Sequence, residues 1–175
     1  VINLLKPCIE YKIPIVLHPD IITDAVSWRQ FGSLLCLENM DLRKKTGRTC
    51  YEMESIFDVL PEASLCFDFA HCLQVDPTMG EATAILRKFG ERLIQIHISE
   101  IDSKGRHHRL SAPAIPKARQ TLCLTDKKIP IIIESPFSDH IKSPPCGIDV
   151  PKEMRDELDI VEHCLEPLNI QDIRL

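Results

Sequence analysis

Short apolar runs that each end in a histidine or a carboxylate recur along this chain, and they constrain its fold more than any other feature. Ser64–Cys72 (SLCFDFAHC) is the clearest case: the run ends at Asp68, and His71 follows three residues later. Ile13–Leu17 leads into His18, Leu34–Leu37 into Glu38, Leu93–Ile96 into His97, and Ile129–Ile133 into Glu134. Short apolar runs bounded by turn signals read as buried strands of a parallel sheet. Burying a charge without a partner is costly, so packing alone does not account for polar groups at the ends of all five runs.

Helical patterns fill the intervals. Asn3–Tyr11 reads as the last turns of a helix, and Thr23–Phe31, with the only tryptophan at Trp28, as a second helix closed by a C-cap at Gly32. After the basic loop Leu42–Arg48 (LRKKTGR), Thr49 caps a helix over Cys50–Leu60, and Glu52 completes a capping box. Met53, Ile56, Phe57 and Leu60 share one face of it, which is a core stripe. Asp76-Pro77 starts a helix that turns Ala82, Ile85, Leu86 and Phe89 inward and stops at Gly90. Leu93–Ile98 is the next strand, followed by the polar loop Ser99–Ser111 and a helix over Ala114–Thr125. Pro144-Pro145 marks a loop before a last amphipathic helix over Pro151–Leu165.

The strand-end groups stand 20 to 37 residues apart, the spacing of βα units in a single domain with a parallel sheet. Right-handed crossovers put every strand's C-terminal end on one edge, so the five polar side chains converge there. Active sites form on that edge in barrels and open sheets alike. Neither GxGxxG nor GxxxxGK[ST] occurs, which leaves the nucleotide-binding form of the fold without support.

Composition narrows the function classes. The net charge of −5, from 21 Lys and Arg against 26 Asp and Glu, weighs against a whole-surface nucleic-acid binder. No run reaches the length of a membrane span, and the first residues, beginning at Val1, show no signal peptide. Eight cysteines occur with no C-x-x-C spacing, so we expect reduced thiols, a cytoplasmic setting and no structural zinc site. Cys36, Cys66 and Cys123 lie in apolar runs and are expected to pack as small hydrophobes. Cys72 beside His71 has no base–orienter pair to make it a nucleophile. His140 and His163 carry no motif and are expected at the surface.

Glu38, Asp68, His97 and Glu134 together form an oxygen-rich ligand set with one imidazole. Such a set suits Mn²⁺, Mg²⁺, Co²⁺ or Zn²⁺ rather than a thiolate-seeking metal. At these residues the chain resembles the xylose-isomerase-like TIM-barrel superfamily of sugar isomerases, epimerases and type-IV AP endonucleases. The matching pieces are LHPD at 17–20, LENMD at 37–41, CFDFAHC at 66–72, IHISEIDSKGRHH at 96–108 and IIESP at 132–136. The resemblance implies a (β/α)8 barrel in which Glu38, Asp68, His97 and Glu134 hold one divalent metal. Glu38 and Glu134 would then exchange a proton on opposite faces of a sugar or sugar-phosphate-like substrate, through an enediolate. His18, His71, Arg106 and His108 would contact the substrate; sequence does not separate His107 from His108.

In the endonuclease-like members, His18 and a histidine of the GRHH segment would help bind further zinc ions. Where those enzymes carry an aspartate two residues before the loop histidine, this chain has Arg106, which suits a phosphate or hydroxyl and cannot bind a metal. The leading expectation is therefore a metal-dependent isomerase or epimerase acting on a small molecule. A zinc phosphodiesterase acting on abasic DNA, favoured only by LRKKTGR, is the alternative, and an inactive partial barrel is the third reading. A closed barrel has eight strands, whereas about five βα units are legible here, with none ahead of Ile13. That deficit implies a fragment, a truncated product, or a chain completed by a partner, a homo-oligomer included.

Overall fold

The five apolar runs form one parallel sheet whose strands lie side by side in chain order, curled into a half-barrel. The computed structural model describes residues 2–126, 128–136 and 152–166; the Pro144-Pro145 loop, His140 and Cys146 lie outside them. In chain order the elements are α1 (Lys6–Glu10), β1 (Ile15–Leu17), α2 (Ala25–Trp28), β2 (Leu35–Glu38), α3 (Cys50–Val59), β3 (Ser64–Asp68) and α4 (Phe69–Val75). There follow α5 (Gly80–Phe89), β4 (Leu93–Ile98), a hairpin of β5 (Glu100–Ile101) and β6 (His107–His108), α6 (Ala114–Leu122), β7 (Ile131–Ile133) and α7 (Lys152–Leu165). The sheet order is β1-β2-β3-β4-β7, with the hairpin forming a separate antiparallel pair. Among the described residues, β1 and β7 are its edges, and no helix is long and apolar enough to cross a membrane.

Strand alternation sorts the side chains onto two faces. Leu35, Leu37, Leu65, Phe67, Ile96 and Ile98 point to one face, where they pack with Met53, Phe57, Ile85, Leu86, Phe89, Ala118 and Leu122 of the helices in one apolar core. The other face carries Cys36, Glu38, Cys66, Asp68, Gln95 and His97, aligned across the sheet by the pairs Glu38↔Cys66, Cys66↔Gln95 and Asp68↔His97. It is the open face: Ile132, level with His97, remains exposed on it.

Several element boundaries differ from expectation for identifiable reasons. β1 starts at Ile15, because Pro14 has no N–H to give a ladder and Ile13 stays exposed. The Thr23–Phe31 helix is α-helical only over Ala25–Trp28, capped by the Asp24 carboxylate, and continues as 3-10 turns through Leu34. Gly32 (φ 51°, ψ −130°) is a kink inside those turns rather than a simple C-cap. Thr49 caps α3 through its Oγ1, which accepts the Glu52 N–H at 3.2 Å. The return half of the capping box is displaced by one residue: Glu52 accepts the N–H of Arg48, at 2.8 Å, not that of Thr49. The helix expected from Asp76-Pro77 begins at Gly80, because the Asp76 carboxylate folds the chain into a turn by accepting the Thr78 and Glu81 N–H groups. Ser99–Ser111 contains the β5–β6 hairpin. Cys36 and Cys66 are buried as expected, and so is Cys72, but Cys123 is exposed at the turn ending α6.

Candidate metal centre

A one-residue irregularity in the sheet sets the site. Leu65 pairs with Leu93 but Cys66 pairs with Gln95, so Ile94 is an extra residue in β4. Without it Asp68 would stand level with Ile96, and His97 would point into the helix-side core. With it, Asp68 and His97 end their strands side by side on the open face. Glu38, Asp68 and His97 are all buried there, and one ligand atom from each lies within 4.8 Å of the others.

His97 Nδ1 is the hub. It lies 3.4 Å from Glu38 Oε1, 3.9 Å from Asp68 Oδ2 and 3.2 Å from Glu134 Oε1. Its other nitrogen, Nε2, is 2.6 Å from the Gln95 side-chain nitrogen Nε2. His18 Nε2 approaches Glu38 Oε2, and His71 Nδ1 approaches Glu38 Oε1, each at 3.3 Å. His71 also lies 3.7 Å from Asp41 Oδ2 through Nε2, and its Nδ1 is 2.9 Å from the Asn39 carbonyl.

The site carries opposing electrostatic demands. Burial, followed by the charge of Glu38, pushes the Asp68 carboxyl well above the usual carboxylate range. Burial also opposes ionisation of Glu38, but the close approach of His18 and His97 outweighs that and holds its pKa below normal. Burial works against charge on His97 too; the nearby Glu38 carboxylate prevails and raises its pKa. His71 is lowered by burial, and His18 is raised by its hydrogen bond to Glu38.

Asp68 serves two purposes. Its Oδ1 accepts the His71 N–H at 2.7 Å and so caps α4, which is one structural reason for an acid at this position. Its Oδ2, however, is buried without a hydrogen-bond partner, and so are His97 Nδ1 and Glu134 Oε2. Buried polar atoms in native folds are ordinarily paired. The unpaired Asp68 Oδ2 and His97 Nδ1 belong to the Glu38–Asp68–His97 triad, a donor set that fits a divalent cation, and Glu134 stands beside it with Oε1 3.2 Å from His97 Nδ1.

Not every residue expected at the site reaches it. Arg106 is exposed, with Nε 2.8 Å from Asp102 Oδ2, and His108 turns outward to the same carboxylate at 3.5 Å. His107 faces inward instead, with Nδ1 2.9 Å from Ser99 Oγ and 3.5 Å from Glu134 Oε2. Three of the four cations of LRKKTGR are spent on neighbours: Arg43 on Asp41, Lys44 on Asp20 and Arg48 on Glu52. The loop closes through Gly47 (φ 83°), whose carbonyl accepts the Met40 N–H at 2.7 Å. A side chain at Gly47 would meet Pro19 Cγ at 2.9 Å. Gln95, Asn39 and Asp41 were not expected at the site. Gln95 could have been found by alternation from His97; Asn39 and Asp41 sit in the LENMD segment without a period to reveal them. No family model matches the chain, and no curated protein matches it.

Proposed function

We propose that the half-barrel is of the xylose-isomerase-like (β/α)8 kind and acts as a divalent-metal-dependent isomerase or epimerase of a sugar or sugar-phosphate-like substrate. One observation carries this reading: the unpaired Asp68 Oδ2 and His97 Nδ1 gather with Glu38 at the C-terminal edge of a parallel sheet, with Glu134 next to His97. Glu38, Asp68, His97 and Glu134 would hold one ion, Mn²⁺, Mg²⁺, Co²⁺ or Zn²⁺. Such an ion supplies Lewis acidity, stabilising negative charge that develops on a carbonyl oxygen next to a departing proton.

The chain's own residues divide the remaining tasks. Glu38, kept ionised by His18 and His97, is a base able to take a proton at its carboxylate. Glu134 is the more accessible of the two glutamates and returns a proton to the enediolate from the other side. His18, half exposed beside Glu38, and His107, beside Glu134, offer ring nitrogens to substrate hydroxyls. His71, buried under Glu38, orients that carboxylate. Free thiols at all seven cysteines among the described residues support a reducing, cytoplasmic location.

The test is metal content of the purified chain, paired with a Glu134→Gln variant and with solvent-deuterium exchange into a panel of aldoses and ketoses followed by NMR. One ion per chain, weakened in the variant, with exchange next to a carbonyl, is the expected result. Three zinc ions per chain would favour the phosphodiesterase, and no bound ion would favour an inactive barrel.

A further inference from the structure

Glu157 is fully buried on α7, yet it belongs to no strand end and to no motif. Its carboxylate reaches two separate segments. Oε2 accepts the Arg109 Nε–H at 2.7 Å, and Oε1 accepts the Leu110 N–H at 3.3 Å, both on the chain leaving the β5–β6 hairpin. Oε1 also lies 3.1 Å from Ser135 Oγ, one residue beyond Glu134 on the chain leaving β7. The Ser135 hydroxyl is itself 3.3 Å from the His108 carbonyl, so hairpin and strand end meet at this carboxylate.

These two segments carry neighbouring side chains at the margin of the metal centre. Glu134 immediately precedes Ser135, and His107 lies two residues before Arg109. The two side chains face each other with His107 Nδ1 3.5 Å from Glu134 Oε2. β7 pairs with β4 from Ile131 to Ile133, and just past its end the Glu134 N–H donates to the Ile98 carbonyl at 3.2 Å. Among the described residues, β7 also has no strand beyond it. A buried carboxylate with three donors around it is an expensive group to place unless its geometry is needed.

We propose that Glu157 is a positioning residue for the metal centre: it clamps Ser135 to the Arg109–Leu110 segment and thereby fixes Glu134 against His107. The proposal rests on the reading of Glu134 as a metal ligand. Outer groups that hold ligands in place typically change metal affinity by about 10–100-fold when altered. The effect should pass through Glu134 rather than through general stability.

The test is Mn²⁺ affinity, read by electron paramagnetic resonance of the free ion, for wild type, Glu157→Gln, Ser135→Ala and Glu134→Gln. Glu157→Gln keeps the shape but loses the charged partner of Arg109, and its affinity should fall about tenfold. The same substitution in a Glu134→Gln background should cost less than about twofold more, because coupled residues are not additive. Ile85→Val in the α5 core, which lowers stability, should leave affinity within about twofold, as expected for distant sites. Should Glu157→Gln fail to fold by circular dichroism, Ser135→Ala, which removes one hydroxyl, carries the test with an expected loss at the lower end of that range, about tenfold. Unchanged affinity in the folded variants, or an equal loss in the Glu134→Gln background, overturns the role of Glu157 alone. A wild-type chain that binds no Mn²⁺ and no other divalent ion overturns the metal centre, and this proposal with it.

Discussion

Asn39 and Asp68 exchange two hydrogen bonds: the Asn39 Nδ2 donates to the Asp68 carbonyl at 2.9 Å, and the Asp68 N–H donates to Asn39 Oδ1 at 2.8 Å. Both residues are fully buried, and the exchange continues the β2–β3 ladder past its last register pair, Glu38↔Cys66. A side chain thus does the work of a backbone step and sets the height at which Glu38 and Asp68 meet. Removing it leaves a buried N–H and a buried carbonyl unpaired. Asn39→Ala should therefore cost about 1–3 kcal/mol of folding stability and weaken divalent-ion binding as well. Urea unfolding alongside an Mn²⁺ titration checks this; wild-type stability in the variant would show that water replaces the amide.

Asp68 and Cys72 separate function from packing. The Asp68 carboxyl is destabilised by burial and by Glu38, so Asp68→Asn should leave the ion-free protein as stable as wild type or more so. Its ion affinity should nevertheless fall at least about tenfold. Cys72 is fully buried in the apolar core, and burial raises its thiol pKa well above normal. Cys72→Ala should cost about 1 kcal/mol through the cavity it leaves, with unchanged ion affinity. Equal effects of the two variants on ion binding would remove Asp68 from the ligand set.

Ligand linkage gives a third expectation. An ion that binds the folded chain alone stabilises it by about 2.7 kcal/mol at 100 times its Kd. Thermal unfolding should thus shift upward on adding Mn²⁺ and return on adding a chelator. In Glu38→Gln the shift should be absent, because the neutral amide replaces the one carboxylate contacted by His18, His71 and His97 together. A full shift in that variant would place the ion elsewhere.

The parallel sheet was legible because its central strands are buried on both faces and so read as continuous apolar runs, as at Leu34–Leu37 and Ser64–Phe67. Convergence of Glu38, Asp68, His97 and Glu134 followed from strand ends alone. What periodicity could not reveal was the extra residue Ile94, since a bulge is a pairing property of two strands. Nor could it choose between His107 and His108, whose alternation in a two-residue strand is fixed by where the hairpin docks. The grip of Glu157 was hidden for the same reason, as its partners lie 22 to 48 residues away.

Asp102 supplies the pH dependence of the hairpin. Its carboxylate accepts the backbone N–H groups of Arg106 and Lys104 at 3.0 and 2.8 Å and the Arg106 Nε–H at 2.8 Å, with His108 Nε2 at 3.5 Å. The Arg106 backbone bond leads these effects, and together they hold the Asp102 pKa well below its ordinary value. A depressed carboxylate pKa contributes stability that is fully present above the unfolded value of about 3.9. That stability is lost as pH falls through the lower folded value, when the proton displaces these donors. Wild type should therefore lose hairpin stability progressively below about pH 4, releasing the segment that carries His107. Asp102→Asn should be less protected at neutral pH and show a flatter profile in acid. Amide exchange of the Arg106 and Gly105 N–H groups, measured between neutral and acid pH in both proteins, reads this directly. Parallel profiles in the two would assign the acid sensitivity to another group.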